Sequence, residues 1–169
     1  MRLRLLAAAG AAALAVPFAA HADSAPYLVT GGGQVVASTA EAGPGDTVAF
    51  VARQTGEEDN EGRATAEGSL QFVKTSQARA GQRPQVTFNG QVTCIEPGGE
   101  NTARFGGVRR AGDGLAFFTV DVTDSGEQGT DTVVVQASEE PCEDGDPLNE
   151  ETTLARGNVT VDTASSGRR

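Results

Sequence analysis

Apolar and polar residues alternate along much of this 169-residue chain, and this period of two is the feature that most limits its fold. The clearest case is segment 85–94, with the sequence QVTFNGQVTC. Its odd-numbered residues are polar, and its other face carries Val86, Phe88, Gly90, Val92 and Cys94. A strand with one buried and one hydrated face has this pattern in an antiparallel sheet. The pattern therefore predicts a strand with Cys94 on its buried face.

The same pattern recurs along the chain, and breaks rich in Gly and Pro separate the segments. Further strands are predicted at 47–53, 68–75, 102–108, 115–123, 130–137 and 154–161. Segment 27–36 predicts one or two short strands, with a turn or bulge at Gly31, Gly32 and Gly33. No interval has the pattern of an amphipathic helix of three turns. About seven to nine short strands at this spacing predict an all-β fold: a single antiparallel β-sandwich or barrel-like domain.

The first 22 residues have the three parts of a secretory signal peptide. Arg2 and Arg4 supply the positive start, residues 5–16 form an apolar run, and Ala20-His21-Ala22 is a small-x-small cleavage site. A membrane anchor is the less favoured alternative, because this run is short against the ~20 residues that span a bilayer. We therefore expect a signal peptide at 1–22, a single domain at 23–163, a flexible tail at 164–169, and a secreted, extracellular protein without a membrane span.

Cleavage after Ala22 makes a strongly acidic chain more acidic. The full chain has 13 Lys and Arg against 23 Asp and Glu, for a net charge of −10. Removing Arg2 and Arg4 leaves 11 basic residues against 23 acidic ones, so the net charge becomes −12. Binding to DNA or RNA needs clustered basic residues that replace counterions on the phosphates. The composition therefore argues against nucleic acid and against anionic membrane surfaces.

Cleavage also removes His21, the only histidine in the sequence. Without histidine the mature chain has no Ser-His or Cys-His nucleophile. Lys74, the sole lysine, falls in a predicted strand and is expected to be a solvated strand residue. A pair of carboxylates, as in glycosidases, is the catalytic alternative that the residues leave open. We expect that the protein is not an enzyme and has no catalytic residues.

The two cysteines, Cys94 and Cys142, predict one disulfide in an exported protein. Free thiols, or a metal held by the pair, are the alternatives. Closing a loop of this length stabilises a fold by about 4 kcal/mol in the chain-entropy model. Cys142 lies within the acidic segment 139–151. The disulfide would therefore fix an otherwise mobile acidic loop to the strand that ends at Cys94.

Two acidic segments contain the candidate calcium ligands, since calcium prefers several converging oxygen atoms. The candidates are Asp124, Glu127 and Asp131 in segment 121–131, and Glu143, Asp144 and Asp146 in segment 139–151. Neither segment has the EF-hand pattern, and solvated acidic loops are the favoured alternative. We therefore expect no metal site and no cofactor, with calcium as the one ion that these residues would suit.

Five segments resemble a known family in their order along the chain. They are VTGGG at 29–33, GSLQFV at 68–73, VTC at 92–94, TARFGG at 102–107 and FTVDVTDSGEQGTD at 118–131. Together they make the chain similar to the exported, mostly actinobacterial β-domains known as post-COAP domains. The resemblance implies an exported β-rich module, found alone or appended to other exported domains. It implies no catalytic activity.

These observations predict a non-catalytic exported domain with an interaction or structural role at the cell surface or in the medium. Its partner is an unidentified extracellular molecule, and the domain itself is expected to be a monomer. Three alternatives stay open at this point. They are a calcium-dependent adhesion or binding module, a hydrolase with paired carboxylates, and a secreted inhibitor that presents the loop anchored by the disulfide.

Overall fold

A computed structural model describes residues 26–36, 46–74, 85–111, 114–127, 129–148 and 152–163. The predicted signal peptide at 1–22 and the predicted tail at 164–169 lie outside the described residues. Both therefore stay predictions.

Nine strands make up the regular structure of the described residues, and no helix occurs among them. The strands are β1 Tyr27–Val36, β2 Asp46–Glu58, β3 Ala64–Lys74, β4 Gln85–Pro97, β5 Thr102–Ala111, β6 Gly114–Thr123, β7 Thr132–Ser138, β8 Gly145–Pro147 and β9 Thr152–Thr163. All of them belong to a single antiparallel sheet. The prediction of an all-β antiparallel domain is confirmed.

The sheet folds back on itself, so that its strand pairings run round a ring. Its order is β6-β5-β4-β3-β2-β1-β9-β7-β8, and β6 also pairs with β7 along seven residue positions. The pairing between β7 and β9 is the shortest around the ring, at Thr132↔Thr153 and Val133↔Thr152. Eight strands thus surround one interior, and β8 is added beside β7.

The apolar faces of the eight strands in the ring point into this interior, as the alternation predicts. Buried side chains of the core include Val48, Phe50, Leu70, Phe72, Val92, Phe105, Phe118, Val120, Val122, Val133, Val135, Val159 and Val161. The rings of Phe50 and Phe105 meet with their centroids 5.1 Å apart. Since apolar burial is the main favourable term in folding, these inward residues hold the ring together.

Two inward-facing glycines leave room for phenylalanine rings. A side chain on Gly31 would collide with the ring of Phe50, and one on Gly90 would collide with the ring of Phe118. Of the alternatives predicted for segment 27–36, the structure has one strand, and the turn at Gly31, Gly32 and Gly33 is wrong, because these residues lie within the continuous strand β1. An irregularity in the register does occur nearby, between Gln34 and Val35.

Cys94 lies on the opposite face of β4 from the one that the alternation predicts. The register of β4 with β5 shifts between Val92 and Cys94, because Thr93 is an extra residue at a β-bulge. After the bulge Ile95 is fully buried, while Cys94 is half-buried and pairs with outward-facing Thr65. One extra residue exchanges the two faces of the strand. The prediction of a buried, inward Cys94 is therefore wrong.

The short strand β8 falls inside the acidic segment that the sequence predicts as a loop. It pairs with β7 through Gln136↔Pro147, Ala137↔Asp146 and Ser138↔Gly145. In the order of the sheet β8 is the end strand, with β7 on one side only. Asp146 and Pro147 are both exposed on it.

Filling the space at Gly90 should destabilise the fold. We expect Gly90→Val to lower the free energy of unfolding by about 1–3 kcal/mol, because the new side chain overlaps the Phe118 ring in a packed interior. Urea denaturation measures the change. Ser69→Val on the exposed face of β3 is the matched control, with an expected change within about 0.5 kcal/mol. Equal effects of the two substitutions would contradict the packing assigned to Gly90.

Candidate functional site

Cys94 and Cys142 form a disulfide in the structure, with their Cα atoms 6.2 Å apart. The disulfide joins β4 to residues 139–144, the connection between β7 and β8 that we call the strap. Neither cysteine is free. The pairing that the sequence predicts is therefore present, but it lies outside the ring and not within its core.

The strap lies over a row of residues that pair across the outer face of the sheet. The row runs through Cys94 on β4, Gly106 on β5 and Thr119 on β6. The backbone of Cys142 sits so close to Gly106 that no side chain would fit there. Thr119 points outward from β6 and is nevertheless 0% exposed. The strap thus covers a strip of outer surface at Gly106, and Thr119 beside it donates to the Ser138 hydroxyl of β7 at 3.3 Å.

A chain of hydrogen bonds and ion pairs runs beside this strip. Arg104 Nε donates to Asp121 Oδ1 at 2.7 Å, and an Arg104 guanidinium nitrogen lies 2.8 Å from Asp144 Oδ1 in the strap. The amide of Gln136 donates to Asp121 Oδ2 at 2.6 Å, and its carbonyl accepts from the Gly145 N–H at 2.7 Å. The hydrogen bond to Asp121 holds the pKa of Arg104 above its usual range. Arg104 therefore stays charged and links the strap to the sheet.

Arg63 makes a looser set of ion pairs at the same end of the molecule. Its guanidinium lies 3.7 Å from Glu143 in the strap, 3.9 Å from Glu96 and 3.6 Å from Glu61. Ion pairs of this length between partly exposed side chains contribute about 0–1 kcal/mol each. Arg63 therefore offsets local negative charge more than it fixes the strap.

Asp131 is the most buried of the six candidate metal ligands. Its side chain is 0% exposed, and its carboxylate accepts three hydrogen bonds. The Ser125 N–H donates at 2.9 Å and the Ser125 hydroxyl at 2.8 Å to Oδ1, while the Val159 N–H donates at 2.7 Å to Oδ2. Asp131 thus ties the connection between β6 and β7 to strand β9.

Two opposed effects set the pKa of Asp131. Burial raises it, but the hydrogen bonds from the amides of Val159 and Ser125, and from the hydroxyl of Ser125, lower it by more. The pKa of this carboxyl therefore lies below its ordinary value of 3.8. Hydrogen bonds to the ionised form explain the direction, since they stabilise the charge.

Asp124 extends the same contact along the edge of β9. Its Oδ2 accepts from the Val161 N–H at 3.3 Å, and its Oδ1 accepts from the Gly126 N–H at 2.8 Å. The backbone carbonyl of Asp131 accepts from the Leu154 N–H at 2.8 Å. Where β7 no longer pairs with β9, these oxygen atoms take the place of strand partners.

The six candidate ligands fall into separate structural roles, and none of them joins a metal-binding group. Across the described segments, no cluster of three or more His, Cys, Asp or Glu residues has suitable geometry. Glu127 is exposed, and its main-chain carbonyl accepts hydrogen bonds from the Ser125 and Thr130 hydroxyls. Glu143 and Asp144 face arginines in the strap region, and Asp146 lies exposed on β8.

Two residues with chemically useful side chains are held by backbone carbonyls. The hydroxyl of Tyr27 donates to Gly99 O at 2.6 Å, and burial raises the pKa of Tyr27. The Lys74 ammonium donates to Leu148 O at 3.0 Å. Lys74 is half-buried and hydrogen-bonded, whereas the sequence predicts a solvated side chain.

The outer face across β9, β1, β2, β3 and β4 carries two rows without charge, which we call the neutral face. One row is Thr160–Thr30–Val51–Ser69–Gln91, and the other is Asn158–Gly32–Ala49–Gln71–Asn89. Charged residues are 21% of the chain, yet none occurs among these ten. Val51 is the one large hydrophobic residue in the described parts of the chain that is exposed, at 39%.

Charged residues begin at the borders of the neutral face. Arg156 follows on one side, and Arg53 and Glu67 lie 4.0 Å apart on the other. With strands about 4.8 Å apart, five strands make the face roughly 19 Å wide. Its side chains are mostly amides and hydroxyls, which both donate and accept hydrogen bonds. The sequence alone does not reveal this face, because it arises from residues that the register brings together.

No family model, curated protein or solved structure matches this chain. The resemblance to post-COAP domains therefore stays a prediction. Among the residues that the structure describes, no helix is long and apolar enough to cross a membrane.

Replacing Asp131 should destabilise the fold, because the groups that donate hydrogen bonds to its carboxylate lose their acceptor. Asp131→Ala leaves the buried amide of Val159 and the partly buried amide of Ser125 without an acceptor, so we expect a loss of about 3 kcal/mol at pH 7. Asp131→Asn keeps one carbonyl oxygen and should lose less. Urea denaturation measures both variants, and equal losses would contradict the role assigned to the carboxylate.

The same carboxylate should make the stability depend on pH. Because the pKa of Asp131 is lower in the fold than in the unfolded chain, its ionised form stabilises the fold above the ordinary value of 3.8. This stabilisation is lost as the pH falls through the folded-state pKa. Urea denaturation of the wild type and of Asp131→Asn from pH 7 down to pH 2 should show a smaller acid loss in the variant. Parallel curves would refute the assignment.

Calcium should leave the thermal stability unchanged. The oxygen atoms of Asp131 already accept three hydrogen bonds, and Asp144 faces Arg104, so neither carboxylate is set up to bind an ion. A thermal melt at millimolar calcium, compared with one in a chelator, tests this. A saturable rise in Tm would contradict the expectation and favour the calcium-dependent alternative.

Proposed function

We propose that this protein is an exported, non-catalytic binding domain that uses its neutral face to hold an uncharged, hydroxyl-rich polymer such as a neutral extracellular glycan. The observation that carries the proposal is the pair of uncharged rows across five strands of a strongly acidic chain. Export itself follows from the signal peptide that the sequence predicts.

The charge distribution favours an uncharged partner over a charged one. With a net charge of −12 after removal of the predicted signal peptide (11 basic against 23 acidic residues), the exported protein repels anionic polymers at any distance within the Debye length. A cationic partner would be drawn to the carboxylates, none of which lies on the neutral face itself, although Glu67 stands at its border. On the face itself, Gln71, Asn89 and Gln91 are exposed and present both donors and acceptors. Neutral hydroxyl groups match this set without the cost of desolvating an ion.

The carboxylates that a hydrolase would use as catalytic residues make structural contacts instead. Asp131 is one of two buried carboxylates among the described residues, and its oxygen atoms are taken by Ser125 and Val159. Asp121 is bonded to Arg104 and Gln136. These contacts support a binding role over a hydrolase with paired carboxylates. The strap lies against the sheet through buried Cys142, which supports a binding role over an inhibitor with a projecting loop.

Sedimentation with insoluble polysaccharides tests the proposal. We expect the full exported chain to be retained by at least one neutral polymer, such as cellulose or chitin, and not by anionic alginate. The double variant Gln71→Glu/Gln91→Glu should weaken retention by about tenfold or more, because each new carboxylate is desolvated without a partner.

The matched control adds the same two charges away from the neutral face. Asn60→Glu/Asn101→Glu changes exposed residues in the turns between β2 and β3 and between β4 and β5. This variant should bind as the wild type does. Absence of retention by every neutral polymer would refute the proposed function, and equal binding by the two double variants would refute the neutral face as its site.

A further inference from the structure

The strap is separate from the hydrophobic core, although it contains a fully buried residue. Cys142 is 0% exposed, yet it does not belong to the cluster of buried side chains that fills the ring. Its neighbours are Gly106 and Cys94 on the outer face. The inside of the ring and the contact beneath the strap are therefore two different packed regions, divided by the sheet.

One covalent bond dominates the contacts that hold the strap down. The ion pair from Asp144 to Arg104 involves an aspartate side chain that is 86% exposed, and the pair from Glu143 to Arg63 is 3.7 Å long. Exposed ion pairs are weak because water and salt compete for both partners. The hydrogen bond from Gly145 to Gln136 joins β8 to β7 and does not reach β4 or β5.

The backbone of the strap has an uncommon conformation at Cys142. Cys142 has a φ of 61°, and it is the one residue other than glycine with positive φ among those described. Residues with a side chain rarely adopt this left-handed conformation, because the Cβ atom crowds the backbone. The disulfide to Cys94 therefore holds the strap in a conformation that its own sequence disfavours.

We propose that the disulfide makes the strap a thiol-sensitive latch, which lifts from the outer face on reduction while the ring of strands stays folded. A dithiol is the reductant. One thiolate attacks the half-buried Cys94 sulfur, the S–S bond breaks, and Cys142 leaves as a thiolate that takes up a proton. The second thiol of the reductant then releases Cys94 as a thiol. The protein gains two electrons and two protons, and the dithiol becomes a disulfide.

Opening the latch changes the surface of the molecule at two places. Gly106, which Cys142 covers, becomes accessible on the outer face next to Thr119. Arg104 loses its partner Asp144 and keeps Asp121, so a cation becomes available at the edge of the uncovered strip. The strap itself, which carries Glu139, Glu140, Glu143 and Asp144, becomes a mobile acidic loop.

Hydrogen exchange of the full chain with and without dithiothreitol tests the latch. After reduction we expect exchange in the strap, residues 139–144, to rise towards that of an unstructured peptide, while peptides from β5 and β6 keep their protection. Alkylation and mass spectrometry of the same samples should find two modified thiols per chain after reduction and none before. The double variant Cys94→Ala/Cys142→Ala should reproduce the reduced pattern.

Asp144→Asn is the matched control, because it removes the ion pair to Arg104 and leaves the disulfide in place. Its exchange in residues 139–144 should stay close to that of the oxidised wild type. Loss of protection throughout the reduced chain would overturn the proposal, since the disulfide would then stabilise the fold as a whole. Unchanged protection of the strap after reduction would overturn it as well, and so would a strap released by Asp144→Asn alone.

Discussion

A ring of eight paired strands has one interior, and every second residue of each strand must fill it. This constraint governs the rest of the molecule. Phenylalanine and branched aliphatic side chains occupy the interior, and glycine appears at Gly31 and Gly90, where the rings of Phe50 and Phe118 need the space. Among the described residues, polar side chains lie mostly on the outer face or in the connections between strands, and Asp46 and Gln54 on the inward face of β2 are exceptions. The candidate sites are therefore surfaces and loops, and their properties depend on which residues the register brings together.

The part of the fold that follows from alternation could be predicted from sequence. Segment 115–123 shows this well, because Phe118, Val120 and Val122 alternate with polar residues and are all buried. The orientation of Cys94 could not be predicted, since a single extra residue at Thr93 exchanges the faces and leaves no mark on composition. Strand β8 was missed because Gly-Asp-Pro has no alternation, and its pairing depends on β7.

The sequence predicts the candidate sites less well than it predicts the strands. Asp124 and Asp131 stand out in sequence as possible ligands for an ion, yet they accept hydrogen bonds from the backbone of β9. That role depends on the distance between a loop and a strand about thirty residues further on, which a local pattern does not contain. The neutral face has the same origin. Its ten residues come from five strands, and each segment read alone shows an ordinary hydrated side.

The strands at the two ends of the sheet order differ in their pairing. This difference affects how the protein behaves at high concentration. β6 has a strand partner on both sides, and the edge of β9 beyond Thr153 is capped by the carboxylates of Asp124 and Asp131, so β8 is the end strand of the sheet within the described part of the chain. This three-residue strand carries Asp146 and Pro147, a charge and a residue that has no N–H to donate. An incoming extended segment would find few backbone groups to pair with there. The folded molecule therefore offers little template for cross-β polymerisation, and crowding should favour dispersed copies over fibres.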